Sequence, residues 1–310
     1  MKMKVLHILC CLLVTGSLFG QQLPIFSQQT YNKFAFNPAY AGNKNQVEAM
    51  FTHRNHMLSF PGAPTSQLVT VTAPWQKKYM GFGLRVVNDN IGATSHFSMN
   101  AAANYGVRIG PGKLTMGLEL GFDQYAVDWS SVAIHDAGDD IIPTTDASIT
   151  KPNASFGLFY TTEYWYAGYS VQNLIASRLQ FQGTETENAA HQSAHHYINI
   201  GGVKKFNETL QIEPFLFIKS TSGNGAQMDL GSYIVFKESY GAGVAYRTGD
   251  AVVLTAKVNL LSKFYLGYSY EARINSLSPY AGSSHELMIG YFHKLLEPAR
   301  KKVIHPRYYF

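Results

Sequence analysis

The 310-residue chain carries 25 Lys and Arg against 20 Asp and Glu, with 20 Tyr, 19 Phe, 27 Gly and only 15% charged residues. Setting aside Lys2, Lys4 and the tail after His293 (Lys294, Arg300, Lys301, Lys302 and Arg307 against Glu297) leaves 18 basic residues against 19 acidic ones, so the formal +5 belongs to the ends. A nucleic-acid binder needs a basic face in its folded part, and a mean hydropathy of −0.10 with no second long apolar stretch excludes a helical membrane protein.

Lys2 and Lys4 precede an apolar run from Val5 to Val14, broken only by His7, and Thr15, Gly16, Ser17 and Gly20 follow as small residues. This is the pattern of a secretory signal over residues 1–20, too short for a transmembrane helix, with cleavage near Gly20. A buried N-terminal helix would leave the lysines and the small-residue boundary unexplained. Cys10 and Cys11, the only cysteines, lie inside it and neither follows the small residue of a lipoprotein signal. The mature chain is therefore expected to hold itself together without thiols, disulfides or a lipid anchor.

Residues 21–46 form an N-terminal segment without acidic groups, rich in aromatics (Phe26, Tyr31, Phe34, Phe36, Tyr40). After it, period-two alternation recurs. Leu114, Met116, Leu118, Leu120 and Phe122 alternate with Thr115, Gly117, Glu119, Gly121 and Asp123, giving one apolar face and one glycine or polar face; a helix would scatter both sets. The same pattern predicts 14 strands: 47–58, 65–74, 79–88, 94–109, 113–126, 153–160, 164–172, 196–205, 209–219, 227–236, 239–247, 251–260, 263–273 and 284–293. Tight turns follow every second strand, at 76–78, 110–112, 161–163, 206–208, 237–238 and 261–262. The connections at the other end reach the lengths of 127–152 and 173–195. An even strand count, short turns at one end and long loops at the other predict a single all-β, antiparallel transmembrane barrel over 47–293, with a basic periplasmic tail at 294–310 and both termini on the periplasmic side of the outer membrane.

In such a barrel Arg85, Arg108, Glu119, Asp123, Lys257, Glu271 and Arg273 are expected to face the lumen, because a cation in the lipid midplane costs about 2–4 kcal/mol. Alternation alone also suits a soluble secreted β-sandwich such as a lectin. Aromatics near strand ends (Trp75, Tyr79, Trp129, Tyr164 to Tyr166, Tyr265 to Tyr270, Tyr291, Phe292) suit interface girdles, or ordinary strand propensity.

Few residues suggest chemistry. His191, His195 and His196 fall in a predicted loop at loose spacing for zinc; Asp136, Asp139, Asp140 and Asp146 lack the EF-hand order. Ser283, Ser284 and His285 suggest a hydrolase, yet adjacent strand residues point to opposite faces. The sites Asn153 and Asn207 carry little weight as glycosylation signals. No catalytic, metal or cofactor site is expected.

Several separated motifs stand in order: PIFSQQTYNKFAFNPAYAG (24–42), Arg54 followed by FPGAP (60–64), GLRVVNDNIG (83–92), GKLTMGLELGFDQY (112–125), YRTGDAV (246–252) and GSSHELMIGY (282–291). From Pro24 onward the chain resembles the PorP/SprF family of the type IX secretion system of Bacteroidetes-type bacteria, with His56 standing where the family pattern has Trp. The resemblance implies an outer-membrane component that works with type IX components and periplasmic partner proteins, supporting export or surface anchoring of a cargo such as a large gliding-type adhesin, and contacting outer-membrane lipid but no nucleic acid. It marks Phe36, Asn37, Pro38, Ala39, Tyr40, Gly42, Arg54, Pro61 and Pro64 as motif positions for plug or partner contacts. A segment this aromatic is expected to plug the lumen or cross its periplasmic mouth rather than trail as a disordered leader. Residues 306–310 suit a docking peptide, an assembly signal or a frayed tail. A channel for small solutes is the alternative, since 14 strands lie between filled barrels and aqueous porins.

Overall fold

The computed structural model describes residues 23–75, 79–131, 147–175, 178–179, 190–221 and 224–295. The expected signal segment 1–20, the turn 76–78, Asp136, Asp139, Asp140 and Asp146, and the tail 306–310 lie outside the described residues.

Fourteen antiparallel strands close into a barrel: β1 (Gln46–Asn55), β2 (Thr65–Trp75), β3 (Met80–Ile91), β4 (Thr94–Ile109), β5 (Gly112–Val127), β6 (Ala147–Thr161), β7 (Trp165–Gln172), β8 (His195–Gly202), β9 (Leu210–Thr221), β10 (Asn224–Phe236), β11 (Tyr240–Arg247), β12 (Ala251–Leu260), β13 (Phe264–Arg273) and β14 (Ser284–Lys294). Each strand pairs with its sequence neighbours, and β1 closes the ring on β14. Closure satisfies the backbone of both terminal strands, which an open sheet in lipid cannot do. The β-sandwich alternative is thereby excluded. No described helix is long and apolar enough to cross a membrane; among the described residues the one α-helical turn is Ser278–Ala281.

The two faces of the wall differ. Leu120, Leu230 and Ile234 are 57%, 56% and 55% exposed on the outer wall, whereas Arg85, Glu119, Asp123 and Glu271 are buried inside the ring. Lys257 also faces inward, over the Tyr31 ring, and Arg273 pairs with Asp250 near the long-loop end. Arg108 shares the inward parity of Asn100 and Asn104 but stands exposed at the rim beside the 110–111 turn.

The short turns show why they form. Ser239 N–H bonds the Phe236 carbonyl and Lys263 N–H that of Leu260, with Lys237, Glu238, Leu261 and Ser262 all at positive φ. That is the paired left-handed geometry whose twist matches two right-twisted strands.

Some boundaries move. The first strand stops at Asn55 rather than 58, because Met57 adopts φ 55° and turns the chain. The sixth begins at Ala147 rather than 153, passing through Pro152. Its upper part pairs with β5 alone, since the β6–β7 ladder reaches only Phe156. Ala154 accepts a bond from Leu174 N on the side away from β5, so alternation turns the nitrogen of Pro152 to that same side, where no ladder bond is lost. His195 and His196 open a strand instead of lying in a loop.

Part of the expected girdle faces inward. Trp75, Tyr79, Tyr164, Trp165 and Tyr291 are exposed near the short-turn end. Tyr265, by contrast, is buried against Tyr31 with ring centroids 5.3 Å apart, Tyr166 packs on Phe159 at 5.6 Å, and Phe292 lies against Tyr265 at 6.4 Å. Odd and even residues cannot share a face, so a run such as 265–270 necessarily divides between lipid and lumen.

Candidate functional site

The interior is occupied by the N-terminal segment. Phe26, Ser27, Gln28, Phe34, Ala35, Phe36, Asn37, Ala39, Tyr40 and Ala41 are all buried. Leu23, the first described residue, lies among long-loop residues: its carbonyl accepts from Lys219 Nζ at 2.7 Å, and it lines a cavity of about 290 Å³ with Ile91, Tyr125, Gln192 and His195. The segment leaves at the opposite end, where β1 begins and Leu295 N–H bonds Asn45 O. The two ends of the described residues thus sit at opposite mouths.

Two sets of contacts hold this segment. Towards the long-loop end the Ser27 and Gln28 amides donate to the Glu286 carboxylate at 2.7 and 3.0 Å, and the Ser27 hydroxyl donates to Glu271. Arg54 grips Glu271 with both terminal nitrogens, Nη2 to Oε2 at 2.8 Å, and donates to Ser27 Oγ at 2.9 Å. Arg247 donates to Glu271 at 3.1 Å and to both Asp229 oxygens at 2.9 Å. Forked, charge-assisted bonds of this kind are the strong ones. Arg85 and Glu119 form a second inward pair, Nη2 to Oε1 at 2.6 Å.

The second set surrounds Asn37, Pro38, Ala39, Tyr40 and Gly42. The Asn37 side chain caps the 3-10 turn Pro38–Tyr40 by accepting from Ala39 N at 2.9 Å and donates to Leu158 O at 2.9 Å. Pro38 opens that turn, where a missing N–H costs nothing. Asn104 Nδ2 reaches the carbonyls of Ala39 and Ala41 at 3.1 and 2.6 Å. The Tyr40 ring meets Phe159 edge-on at 5.0 Å and Phe36 meets Phe217 likewise at 5.0 Å. Gly42, at φ 57°, lies against the Ala73 carbonyl.

Wall glycines make the bed. A Cβ on Gly81 would stand 2.0 Å from Ala41 O, on Gly117 2.4 Å from Ala39 N, on Gly157 2.1 Å from Asn37 Oδ1 and on Gly83 2.3 Å from the Phe34 ring. The inward glycines that the alternation exposes are thus clearance for backbone approach.

Of the remaining motif positions, Pro61 is exposed, and Pro64 is half-buried with its carbonyl accepting from His56 N at 2.9 Å. Arg247, Asp229 and Glu286 are network members that strand parity alone did not single out; parity places them inward, but the register that sets Arg247 opposite Asp229 and Arg54 opposite Glu286 is not written in it.

Ser284 and His285 take separate partners. Ser284 is buried and its hydroxyl lies 3.0 Å from His56 Nδ1, while His285 contacts Ser283 and Tyr268. Burial, then the neighbouring Arg54 and Arg273 guanidiniums, push the His56 imidazole down to about 3. A general base needs a value near the working pH. The unfolded chain takes up a proton here below ~6.5 and the folded chain does not, so this group's stabilisation is complete above ~6.5 and is lost as pH falls toward 3. We expect the His56 ring to remain neutral at pH 5 in a histidine-selective NMR titration; a ring titrating near ~6.5 would mean it faces water. His195 faces inward beside Thr221 and His196 outward beside Tyr169, so no pair forms between them; the His191 side chain lies outside the described residues. Among the described residues no three His, Cys, Asp or Glu gather as a metal site.

A closed ring of strands with an apolar outer band and an ionic interior defines an outer-membrane β-barrel. The family model for the type IX secretion system membrane protein PorP/SprF matches residues 18–291, and the chain belongs to that family. Membership and fold together place it in the outer membrane as a type IX secretion component. No curated protein matches. Among solved structures the chain is similar to the CymD monoaromatic hydrocarbon channel (10% identity, 89% of this chain and 95% of that one, TM-score 0.53) and to a Pseudomonas aeruginosa FadL homologue (12%, 88% and 95%, 0.49). At these identities the likeness is one of fold.

Proposed function

We propose that this chain is a plugged barrel that serves the type IX system through protein–protein contacts, supporting export or surface anchoring of a cargo such as a large adhesin of the gliding type. The observation that supports this reading is the buried N-terminal segment: most of residues 26–42 are buried, and the segment is bonded to strands around the ring. In this proposal the signal ends near Gly20, the short turns and the chain's C-terminal end face the periplasm, and the long loops face outward in a Bacteroidetes-type cell. Phe36, Asn37, Pro38, Ala39, Tyr40 and Gly42 seat the plug, Arg54 latches it, and the Pro61 and Pro64 loop meets partners outside. A solute channel would need a continuous water path, which the buried segment opposes.

The test is genetic. Without this chain the cargo is expected to remain inside the envelope or fail to stay on the surface, by fractionation and surface labelling, and the intact chain should restore it. Unchanged cargo display in its absence would reject the proposal.

A further inference from the structure

At the short-turn mouth a cavity of about 290 Å³ is lined by Lys33, Lys44 and Lys257, by Glu163 and Glu213, and by aromatic residues that include Tyr31 and Tyr166. The Lys33 ammonium lies 4.6 Å from the Tyr166 ring centroid and 5.5 Å from that of Tyr40, with the Thr30 carbonyl as its hydrogen-bond acceptor; that of Lys257 lies 4.1 Å above Tyr31. Lys44 is neutralised by Glu48 at 2.9 Å. Among the described residues no carboxylate stands within ion-pair distance of Lys33 or Lys257, and Glu213, in the same lining, is engaged by Gln211 at 2.7 Å. Nearby, Lys113 bonds an amide oxygen, Asn43 Oδ1, at 3.2 Å.

Glu213 acts on Lys33 and Lys257 only from beyond ion-pair distance, and ammonium groups in a partly desolvated basin without a carboxylate in contact are stabilised when an anion joins them. Aromatic faces relieve part of that cost, about 0.5–2 kcal/mol each, and leave the positive potential directed at the opening.

We propose that this mouth is a docking site for an acidic peptide segment of a partner protein, with carboxylates meeting Lys33 and Lys257 and side chains lying on Tyr31 and Tyr166. The proposal rests on the secretion-component reading above, which supplies a partner on that side. A peptide fits better than a lipid. The cations sit inside the ring, away from the hydrocarbon band, and the cavity admits a few side chains between aromatic walls. The turn tips add Lys204, Lys237 and Lys263 around the opening, with Lys205 paired to Glu238 at 3.7 Å, and the lysines there outnumber Glu208 and Glu238, which would steer an acidic chain towards it.

The test uses the full barrel in nanodiscs and a fluorescent octapeptide alternating glutamate with leucine. We expect saturable binding that weakens with salt, is lost when each glutamate becomes glutamine, and falls about tenfold in Lys33→Gln and in Lys257→Gln, the change corresponding to about 1.4 kcal/mol. Lys257→Gln lies on the wall rather than in the N-terminal segment, so it separates lost binding from a displaced segment, and heat-modifiable gel migration verifies folding of both. Equal binding of the glutamine peptide, equal competition by inorganic phosphate, or binding that follows phosphatidylglycerol content rather than the lysines would each overturn the proposal. If cargo display depends on the chain while the peptide fails to bind, this inference falls and the secretion reading stands; if cargo display is independent of the chain, the secretion reading falls whatever the peptide does.

Discussion

Removing residues 24–42 is expected to turn a barrel silent in planar bilayers into one that conducts, while leaving the wall folded. The 14-strand wall is closed by strand-to-strand hydrogen bonds alone, and none of these involves the N-terminal segment. Its removal therefore costs the barrel interior packing and not its ladder. What remains is a lumen lined by Arg54, Arg85, Glu119, Arg247, Glu271 and Glu286, which water can solvate once it enters. A ring of 14 strands is wider than the eight that side chains can fill. A second variant reaches the same end without shortening the chain. Valine at both Gly81 and Gly117 sets side-chain carbon against the Ala41 carbonyl and the Ala39 amide, contacts at 2.0 and 2.4 Å that only backbone movement can relieve. Overpacking of this kind costs about 1–3 kcal/mol per site, so the segment should leave its bed part of the time and the current should flicker. A folded but silent deletion variant, by heat-modifiable migration and bilayer recording, would show that something other than this segment closes the barrel.

The alternation made the wall legible, and its limits explain what was not. Where one face meets lipid, as from Leu114 to Phe122, period two marks strand and sense together. The signal fades beyond the apolar band: Asn88, Asp89 and Asn90 extend β3 to Ile91 with polar residues on both faces, and Ala147 to Pro152 extend β6 through a residue that usually ends a strand. Parity told inside from outside for Arg85 and Glu119 but could not say they meet, nor that Arg54 and Glu271 do, 217 positions apart. That requires the register of the closed ring. The N-terminal segment showed its aromatics and its Asn-Pro turn in the sequence. Its direction through the lumen was hidden, because no local rule says which mouth a non-repetitive segment enters. The wall glycines had the right face for a reason that only the docked backbone at Ala39 and Ala41 makes plain.

Replacing Arg247 by Met should destabilise the barrel by about 3–5 kcal/mol, the range for removing one partner of a buried charge pair. Arg247 is 1% exposed and is the centre of the network: its Nε and Nη2 hold the two oxygens of Asp229, its cross-strand neighbour on β10, and its Nη1 reaches Glu271. Methionine fills similar volume but leaves Asp229 buried without its forked donor, and Glu271 with Arg54 as its one guanidinium partner beside the Ser27 hydroxyl. Lysine keeps the charge but not the fork, so Arg247→Lys should lose an intermediate amount. Adding Asp229→Leu to Arg247→Met removes the orphaned carboxylate as well, and should recover a substantial part of the loss, because an apolar pair in place of an ionic one is often neutral. Urea unfolding in lipid vesicles measures all four proteins, provided the slopes with denaturant agree. If Arg247→Met costs under about 1 kcal/mol, water reaches this network in the intact barrel. The N-terminal segment would then be held by its apolar bed at Phe34, Phe36 and Tyr40 rather than by charge.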